Sequence, residues 1–328
     1  MPDTSEPSQS DDAARELPES APEKIPETTG DGLASIVPQL KVKPLDAGLY
    51  LTAMPIGNAE DITLRALRVL STAAVIVCED TRHSGHLLTR YGIDTPRIPY
   101  HEHNALRMRP QILRRMAEGQ AVALISDAGT PLISDPGYKL VREAQSMGIF
   151  VTSLPGASAA TAGLIVSGLP SDRFMFAGFP PPKAASRDRY LADLAAIDTT
   201  LIFYESARRL PACLAGMAAA FGARDAAVVR ELTKRFEEVR RGPLTDLAAH
   251  YRDEGPPRGE IVVVVGPPSP ESLQAEKPTA EEALTAAFAT GASLRDAVDR
   301  ATSVTGLPRR TVYASALAMK RTDTDGVA

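Results

Sequence analysis

The chain has 328 residues, a formal net charge of −5 and two cysteines, Cys78 and Cys213. The first 43 residues contain nine acidic and four basic side chains, so the rest of the chain is neutral and a nucleic-acid partner is not excluded. Two cysteines exclude a disulfide framework, and neither a signal peptide nor a run of about 20 apolar residues is present, so we expect a cytoplasmic protein with no membrane partner.

Residues 1–44 are rich in Ser, Pro, Glu and Asp, which predicts a disordered acidic tail. From Gly48 onward, apolar strands alternate with helices, which predicts a mainly parallel, covered sheet in an N-terminal α/β domain over residues 45–168. We expect Asp61 to cap the first helix. The predicted strands are 48–54, 73–78, 97–100, 121–125 and 150–154, and the predicted helices are 61–70, 82–91, 109–118, 138–147 and 158–167.

After Gly168 the pattern changes, and we predict a second α/β domain over residues 169–266. Its predicted strands are 173–179, 200–204, 226–232, 237–241 and 261–265, and its predicted helices are 186–197, 210–221 and 244–253. A Pro-, Ser- and Glu-rich linker follows over 267–278. Residues 279–322 then form a three-helix module with a basic last helix, a pattern that fits a helix-turn-helix as well as a packing module.

The stretch from Ala123 to Gly137 reads ALISDAGTPLISDPG. A buried strand ends there, and no bulky side chain follows Ile125 for five positions, so backbone groups can approach a ligand closely. The glycine spacing matches neither a dinucleotide-binding loop nor a Walker A loop. The turns MPIGNAED, starting at Met54, and LPGASAA, starting at Leu154, are also built from small residues at the carboxyl ends of strands. Each is also explained as a plain turn, but together the three indicate a crevice for an extended ligand.

Titratable side chains follow the second strand, in the run Glu79-Asp80-Thr81-Arg82-His83. A structural interpretation is that Asp80 or Thr81 caps the following helix. A functional interpretation is that a proton is transferred by Asp80, Glu79 or His83, and that a phosphate is bound by Arg82. The histidines in the run from Tyr100 to Asn104 suggest a metal, but a transition metal needs three or four ligands and no Cys joins them. We therefore expect a polar loop near the substrate and no metal site.

Seven strings occur in order over residues 48–266, namely TAMPIGNAEDITLRAL, VCEDTRHSGHLL, YHEHN, LISDAGTPLISDPGY, LPGASA, FYES and ELTKRFEEV. Together they resemble the tetrapyrrole methylase superfamily. They are most similar to its branch that 2′-O-methylates a cytidine ribose in small-subunit ribosomal RNA. The resemblance implies two α/β domains with S-adenosylmethionine bent into the interdomain cleft, and a homodimer. Thr130 stands where many tetrapyrrole enzymes have Asp, which favours the RNA branch.

The resemblance places cofactor contacts on small residues of three loops and on the second domain. They are Pro55, Gly57, Asn58, Asp127, Ala128, Gly129, Thr130, Pro131, Ser134, Pro155, Gly156, Ser158, Ala159, Tyr204, Leu232 and Thr233.

Catalysis and RNA binding are assigned from position at the sheet edge and from charge. Asp80 is the first candidate for the general base, followed by Glu79 and His83, and phosphate contacts are expected from Arg82, Lys183 and Arg235. The alternatives are another methylase of the superfamily, acting on a tetrapyrrole or a protein side chain, or a non-catalytic RNA-binding factor that keeps the cofactor fold.

Overall fold

The computed structural model describes residues 44–269 and 279–325, with side chains up to residue 319. The predicted acidic tail lies outside the described residues except for Pro44, and the predicted linker lies outside them except for residues 267–269.

Residues 44–154 form a five-stranded sheet in which every strand is parallel to its neighbours. The strand order is β3-β2-β4-β1-β5, so β1 and β4 are central. The strands are β1 (Gly48–Thr52), β2 (Val75–Cys78), β3 (Arg97–Pro99), β4 (Ala121–Ile125) and β5 (Val151–Leu154). The helices between them are α1 (Leu64–Thr72), α2 (Thr81–Arg90), α3 (Ala105–Ala117) and α4 (Tyr138–Ser146).

Both faces of this sheet are covered, as the unbroken apolar strands predict. Alternate residues such as Tyr50 and Ile76 pack with α1 and the end of α2 on one face. The residues between them, such as Leu49 and Val77, pack with α3 and α4 on the other face. Cys78 is buried at the end of β2.

The second sheet is mixed and has the order β6-β7-β10-β8-β9 within the described residues. Only β6 and β7 are parallel, and the other pairs are antiparallel. Its strands are β6 (Phe174–Gly178), β7 (Thr200–Ser206), β8 (Asp225–Arg230), β9 (Glu238–Pro243) and β10 (Glu260–Val265). One face packs against α6 (Ala184–Ala195), α7 (Leu210–Phe221), which contains the buried Cys213, and α8 (Leu244–Glu254).

The other face of the second sheet is covered by α5 (Ala159–Ser167), which follows β5 directly. Leu164 of α5 belongs to one core cluster with Val262 of the second sheet and with Ile56, which lies after β1. A Cβ at Gly163 would lie 3.0 Å from Val262 Cγ1, so the helix packs very closely on β10. The boundary at 168/169 stays a prediction, and by its packing α5 belongs with the second sheet.

Residues 279–325 form three helices with a core of their own. These are α9 (Ala280–Ala289), α10 (Leu294–Thr305) and α11 (Arg309–Asp325). Thr279 and Glu282 form a capping box at the start of α9, which fixes that helix end. Among the described residues, no helix combines the length and the apolar character that crossing a bilayer requires.

Two predicted helix starts were wrong. Asp61 lies in a short 3₁₀ turn that Asn58 caps, and α1 begins at Leu64, where the Thr63 hydroxyl accepts a hydrogen bond from Ala66 N at 3.1 Å. Helix α3 begins at Ala105, four residues before the predicted start, because Pro110 is tolerated within the helix. Pro110 lies in the second turn, where it removes one backbone hydrogen bond without ending the helix.

Candidate active site

The loops after β1 and β4 are tied together by their backbones. Met54 N donates to Gly129 O, and Gly129 N donates to Met54 O, both at 2.9 Å. The Thr130 hydroxyl then donates to Ala157 O, in the turn after β5, at 3.1 Å. The three small-residue turns therefore lie side by side at the carboxyl edge of the first sheet, where parallel sheets commonly bind ligands.

Glycines permit this close approach of the turns. A Cβ at Gly156 would lie 2.9 Å from Ala53 Cβ, which is too close for any side chain. Gly129 has φ +70°, a backbone conformation that glycine adopts without steric cost. A larger residue at Gly156 would separate the turns, and one at Gly129 would strain the backbone.

Two residues of the second sheet and its loops, Thr233 and Tyr204, make polar contacts with these turns. Asn58 N donates to Thr233 Oγ1 at 3.1 Å. At the start of α5, Ala160 N donates to the Tyr204 hydroxyl at 3.1 Å, and Ser158 is also hydrogen bonded to Tyr204. Leu232, in contrast, is buried in the core cluster that includes Ile56. Tyr204 and Thr233 thus meet the first-sheet loops as expected for an interdomain site, whereas Leu232 packs beneath it.

A cleft of about 390 Å³ opens beside these loops, a volume within the range of small-molecule sites. Five of its lining residues were among the predicted site residues, namely Pro55, Gly57, His83, Asp127 and Ala128. The other lining residues were not among the predicted site residues, although Ile56 and Ala59 lie in the predicted turn after β1; they are Ile56, Ala59, His86, Leu87, Arg90, Lys234 and Glu260. His83, His86, Leu87 and Arg90 follow helical spacing on α2, which was the available signal.

Asp127 has an unusual position in this cleft. Its Oδ1 atom is buried and accepts no hydrogen bond from any residue that the structure describes. Buried acceptors are normally paired, because removing them from water without a partner is costly. An unpaired acceptor that lines a cleft indicates a place for a ligand donor.

Backbone strain is concentrated in the loops of the site. Within the described residues, the non-glycine residues with positive φ are Leu132 (74°), Ser134 (67°), Glu231 (49°) and Thr233 (66°). Two follow β4 and two follow β8, at the places where the two sheets face each other. Glu237 holds the second loop by accepting a hydrogen bond from Thr233 N at 2.6 Å. Strained residues of this kind cluster at functional sites.

Lys234 lies over the first loop and is itself firmly paired. Its Nζ atom lies 2.9 Å from Glu231 Oε1 and 2.9 Å from Glu260 Oε2. A Cβ at Gly57 would lie only 2.4 Å from Lys234 Cγ. Only glycine fits at position 57 beneath this lysine.

Of the three candidate bases, Asp80 has a structural role. Its side chain caps α2 by accepting from Arg82 N at 2.8 Å, and it pairs with the Arg82 side chain at 3.3 Å. These hydrogen bonds from the Arg82 backbone and side chain lower the pKa of the Asp80 carboxyl. His83 lines the large cleft, and Glu79 lines a separate small pocket.

That small pocket also contains Asp135, which sequence reasoning did not single out. Its lining includes Glu79, Tyr100, Ser126 and Pro131. Burial is the main cause that raises the pKa of Asp135 to about 6, and the charges of Glu79 and Asp127 raise it further. The nearby Ser126 hydroxyl lowers this pKa but does not cancel the rise.

The predicted phosphate contacts lie at the surface, outside the lining of the cleft. The Arg82 side chain is 89% exposed despite its pairing with Asp80. Lys183 is exposed just before α6, and the Arg235 guanidinium lies 5.5 Å from the centre of the Phe236 ring. Such positions suit contacts with a large partner rather than with a small ligand.

The histidines after β3 form a local turn. The rings of His101 and His103 are 6.0 Å apart, and Asn104 Oδ1 accepts from His101 N at 2.9 Å. In the part of the chain that the structure describes, no three His, Cys, Asp or Glu side chains are placed to hold a metal ion.

Known proteins match nearly the whole folded chain. The family described as Tetrapyrrole (Corrin/Porphyrin) Methylases matches residues 48–248, and the one described as RsmI C-terminal HTH domain matches residues 274–320. Ribosomal RNA small subunit methyltransferase I of Mesorhizobium japonicum is 48% identical over 289 residues, which cover 88% of this chain and 97% of the relative. The protein of the same name from Pseudomonas aeruginosa is 45% identical over 82% of this chain and 96% of the relative.

Solved structures agree on the fold. Diphthine synthase superimposes with a TM-score of 0.53 at 16% identity, over 66% of this chain and 89% of that one. The chain therefore belongs to the tetrapyrrole methylase family, and within it to the group formed by ribosomal RNA small subunit methyltransferase I.

Proposed function

We propose that this protein uses S-adenosylmethionine to methylate the 2′-hydroxyl of a cytidine ribose in small-subunit ribosomal RNA. The observation that carries the proposal is the identity of 48% to a ribosomal RNA small subunit methyltransferase I over 97% of that relative. The target nucleoside, cytidine, and the target atom, its 2′-oxygen, are inferred from the resemblance of the motifs.

The residues of the cleft fit S-adenosylmethionine. This molecule has ribose hydroxyl and ammonium donors, and the unpaired buried Oδ1 of Asp127 offers an acceptor for one of them. The glycine-rich turns leave backbone groups accessible beside it. We propose that the cofactor is held by the predicted residues of the three turns together with Tyr204 and Thr233, and that Lys234 forms a further wall.

When bound, the cofactor supplies a methyl group that is already activated by its positive sulfonium. The main task of the chain is then to hold the attacking oxygen in line with that methyl group. The strained loops after β4 and β8 are each hydrogen bonded to the loop after β1, through Gly129 and through Thr233, and together they supply the frame that this alignment needs.

On the substrate side, we propose that Arg82, Lys183 and Arg235 contact RNA phosphates. All three are exposed, and none is used inside the cleft. A ribosomal RNA substrate also accounts for the expected cytoplasmic location. The homodimer stays a prediction.

The test is methyl transfer from labelled S-adenosylmethionine to small-subunit RNA, with the product nucleoside identified by mass spectrometry. We expect 2′-O-methylcytidine, at one position that is unmethylated in a strain lacking this protein. RNA carrying 2′-deoxycytidine at that position is the control and should accept no label. A methylated base, or label only in protein or a tetrapyrrole, would contradict the proposal. Absence of cofactor binding in calorimetry would favour a non-catalytic RNA-binding factor.

A further inference from the structure

We propose that Asp135 is the catalytic residue that accepts the proton of the attacking ribose hydroxyl, an inference that rests on the proposed function. This aspartate was not among the candidate bases expected from the sequence. The proposal stands on a pocket, a cluster of polar groups and the meeting point of the two sheets.

Asp135 lies ten residues beyond the end of β4, in the small pocket beside the loops of the candidate site. It lines a pocket with Glu79, at the end of β2, and with Pro131, next to the loop paired to Met54. It is also close enough to Tyr204 of the second sheet to affect the titration of that side chain. Asp135 therefore faces the interdomain site from the first sheet.

The local backbone fixes the position of this carboxyl group. Leu132 and Ser134 both have positive φ, so the chain turns sharply just before Asp135. Gly137 follows, where a Cβ would lie 3.2 Å from Leu124 Cδ2, and this packing holds the other side of the turn. The Ser126 hydroxyl, at the end of β4, lies beside Asp135 in the same pocket and donates to the backbone oxygens of Ala128 and Gly129.

The groups that face Asp135 favour a proton-accepting role. Glu79 and Asp127 are acidic, and Tyr100 and Tyr204 are weak acids with pKa values raised by burial. No Lys or Arg is among the described residues that line this pocket, so no cation neutralises the carboxylate there. Arg109 contacts the Tyr100 hydroxyl but is paired with Glu143 at 2.8 Å. A carboxylate with a pKa of about 6 is ionised at neutral pH and still binds a proton readily.

The ribose oxygen forms its bond to the methyl carbon while the carbon–sulfur bond breaks, and that electron pair remains on sulfur, which becomes neutral. The hydroxyl proton passes to a carboxylate oxygen of Asp135 and leaves to solvent after the turnover. Asp80 is less suited, because its carboxyl is used as the α2 cap.

The test compares the full-length enzyme with Asp135→Asn. We expect kcat to fall by about 100-fold or more, the range for loss of a general base, with the dissociation constant for S-adenosylmethionine changed less than about twofold. Because the ionised carboxylate is the active form, kcat of the unchanged enzyme should rise with pH up to about 6 and then level off. The residual activity of Asp135→Asn should lack this rise. Asp193→Asn, on the exposed face of α6, is the matched control.

A second readout needs neither cofactor nor RNA. Since burial raises the pKa of folded Asp135 above that of the unfolded chain, ionisation above pH 4 destabilises the folded protein. Asp135→Asn should therefore have the higher thermal midpoint at pH 8 and an equal one near pH 4. This measurement also shows whether the variant folds.

Glu79→Gln provides an independent variant. It removes one like charge beside Asp135, so the rise of kcat should move to lower pH.

This inference would be overturned if the unchanged enzyme methylates RNA and Asp135→Asn keeps full kcat and an unaltered pH profile. That result would leave the proposed function intact. Failure of the unchanged enzyme to methylate RNA would instead overturn the proposed function.

Discussion

At Gly57, in the loop after β1, the loop of the second sheet leaves no room for a Cβ atom. A Cβ there would lie 2.4 Å from Lys234 Cγ and 2.8 Å from Thr233 Oγ1. We expect Gly57→Ala to push the loop of the second sheet away and to raise the dissociation constant for S-adenosylmethionine by about tenfold, or about 1.4 kcal/mol. Calorimetry on the purified protein would measure this change.

The control for Gly57 is Gly85→Ala in α2, where the new methyl group makes only ordinary contact with Arg97 at 3.5 Å. This variant should bind the cofactor normally and gain up to about 1 kcal/mol of stability from helix propensity. Partial recovery of affinity on adding Lys234→Ala to Gly57→Ala would confirm the steric reason. Equal affinity of Gly57→Ala and the unchanged protein would contradict it.

For individual residues, the sequence predicted the position of the loop residues at the sheet edge but not that of Asp135. Pro55, Gly57 and Asp127 follow strands directly, so their place at the sheet edge follows from parallel pairing alone. Asp135 returns to that edge only through the strained turn at Leu132 and Ser134, which no motif reveals. Lys234 reaches the cleft from the other sheet, and this contact depends on how the two sheets pack.

At the scale of the elements, α5 packs closely on the second sheet. Gly163 places the helix against Val262 with no room for a larger side chain. We expect Gly163→Val to lower the free energy of unfolding by about 1–3 kcal/mol, because overpacking forces the helix away from β10. Urea denaturation would measure the loss. Ile165→Val, on the exposed face of the same helix, should change the free energy by less than about 0.5 kcal/mol.

The existence and type of the elements were largely predictable, because long apolar strands alternate with helices that end at glycines. The starts of α1 and α3 were not, since Thr63 rather than Asp61 forms the cap and Pro110 is tolerated inside a helix. The packing of α5 on the second sheet was also missed. Helix α5 follows β5 in the chain, which suggests that it covers the first sheet. Its own residues do not indicate that it packs on the second sheet instead.

For the whole molecule, the three C-terminal helices share no core residue with the two-sheet body in the described part of the chain. We expect a chain ending at Gly266 to fold and to bind S-adenosylmethionine within about twofold of the full chain. Its affinity for small-subunit RNA should fall, with the slope of log K against log salt reduced by roughly 1–2, because the exposed Arg309 and Arg310 are lost. Salt-dependent filter binding would measure both.

The control for this truncation is the full chain carrying Arg309→Gln and Arg310→Gln, which should reproduce the loss of slope. Unchanged RNA affinity in the truncated chain would show that the helices serve another purpose.

The paired hydrogen bonds between Met54 and Gly129 have a mechanical consequence. Moving the loop after β1 away from the loop after β4 breaks both bonds, at a net cost of about 0.5–1.5 kcal/mol each. The loop after β8 contacts the same region through the hydrogen bond from Asn58 to Thr233 and through the packing of Leu232 with Ile56. The loops after β1 and β4 therefore resist separation when ligands enter or leave the cleft.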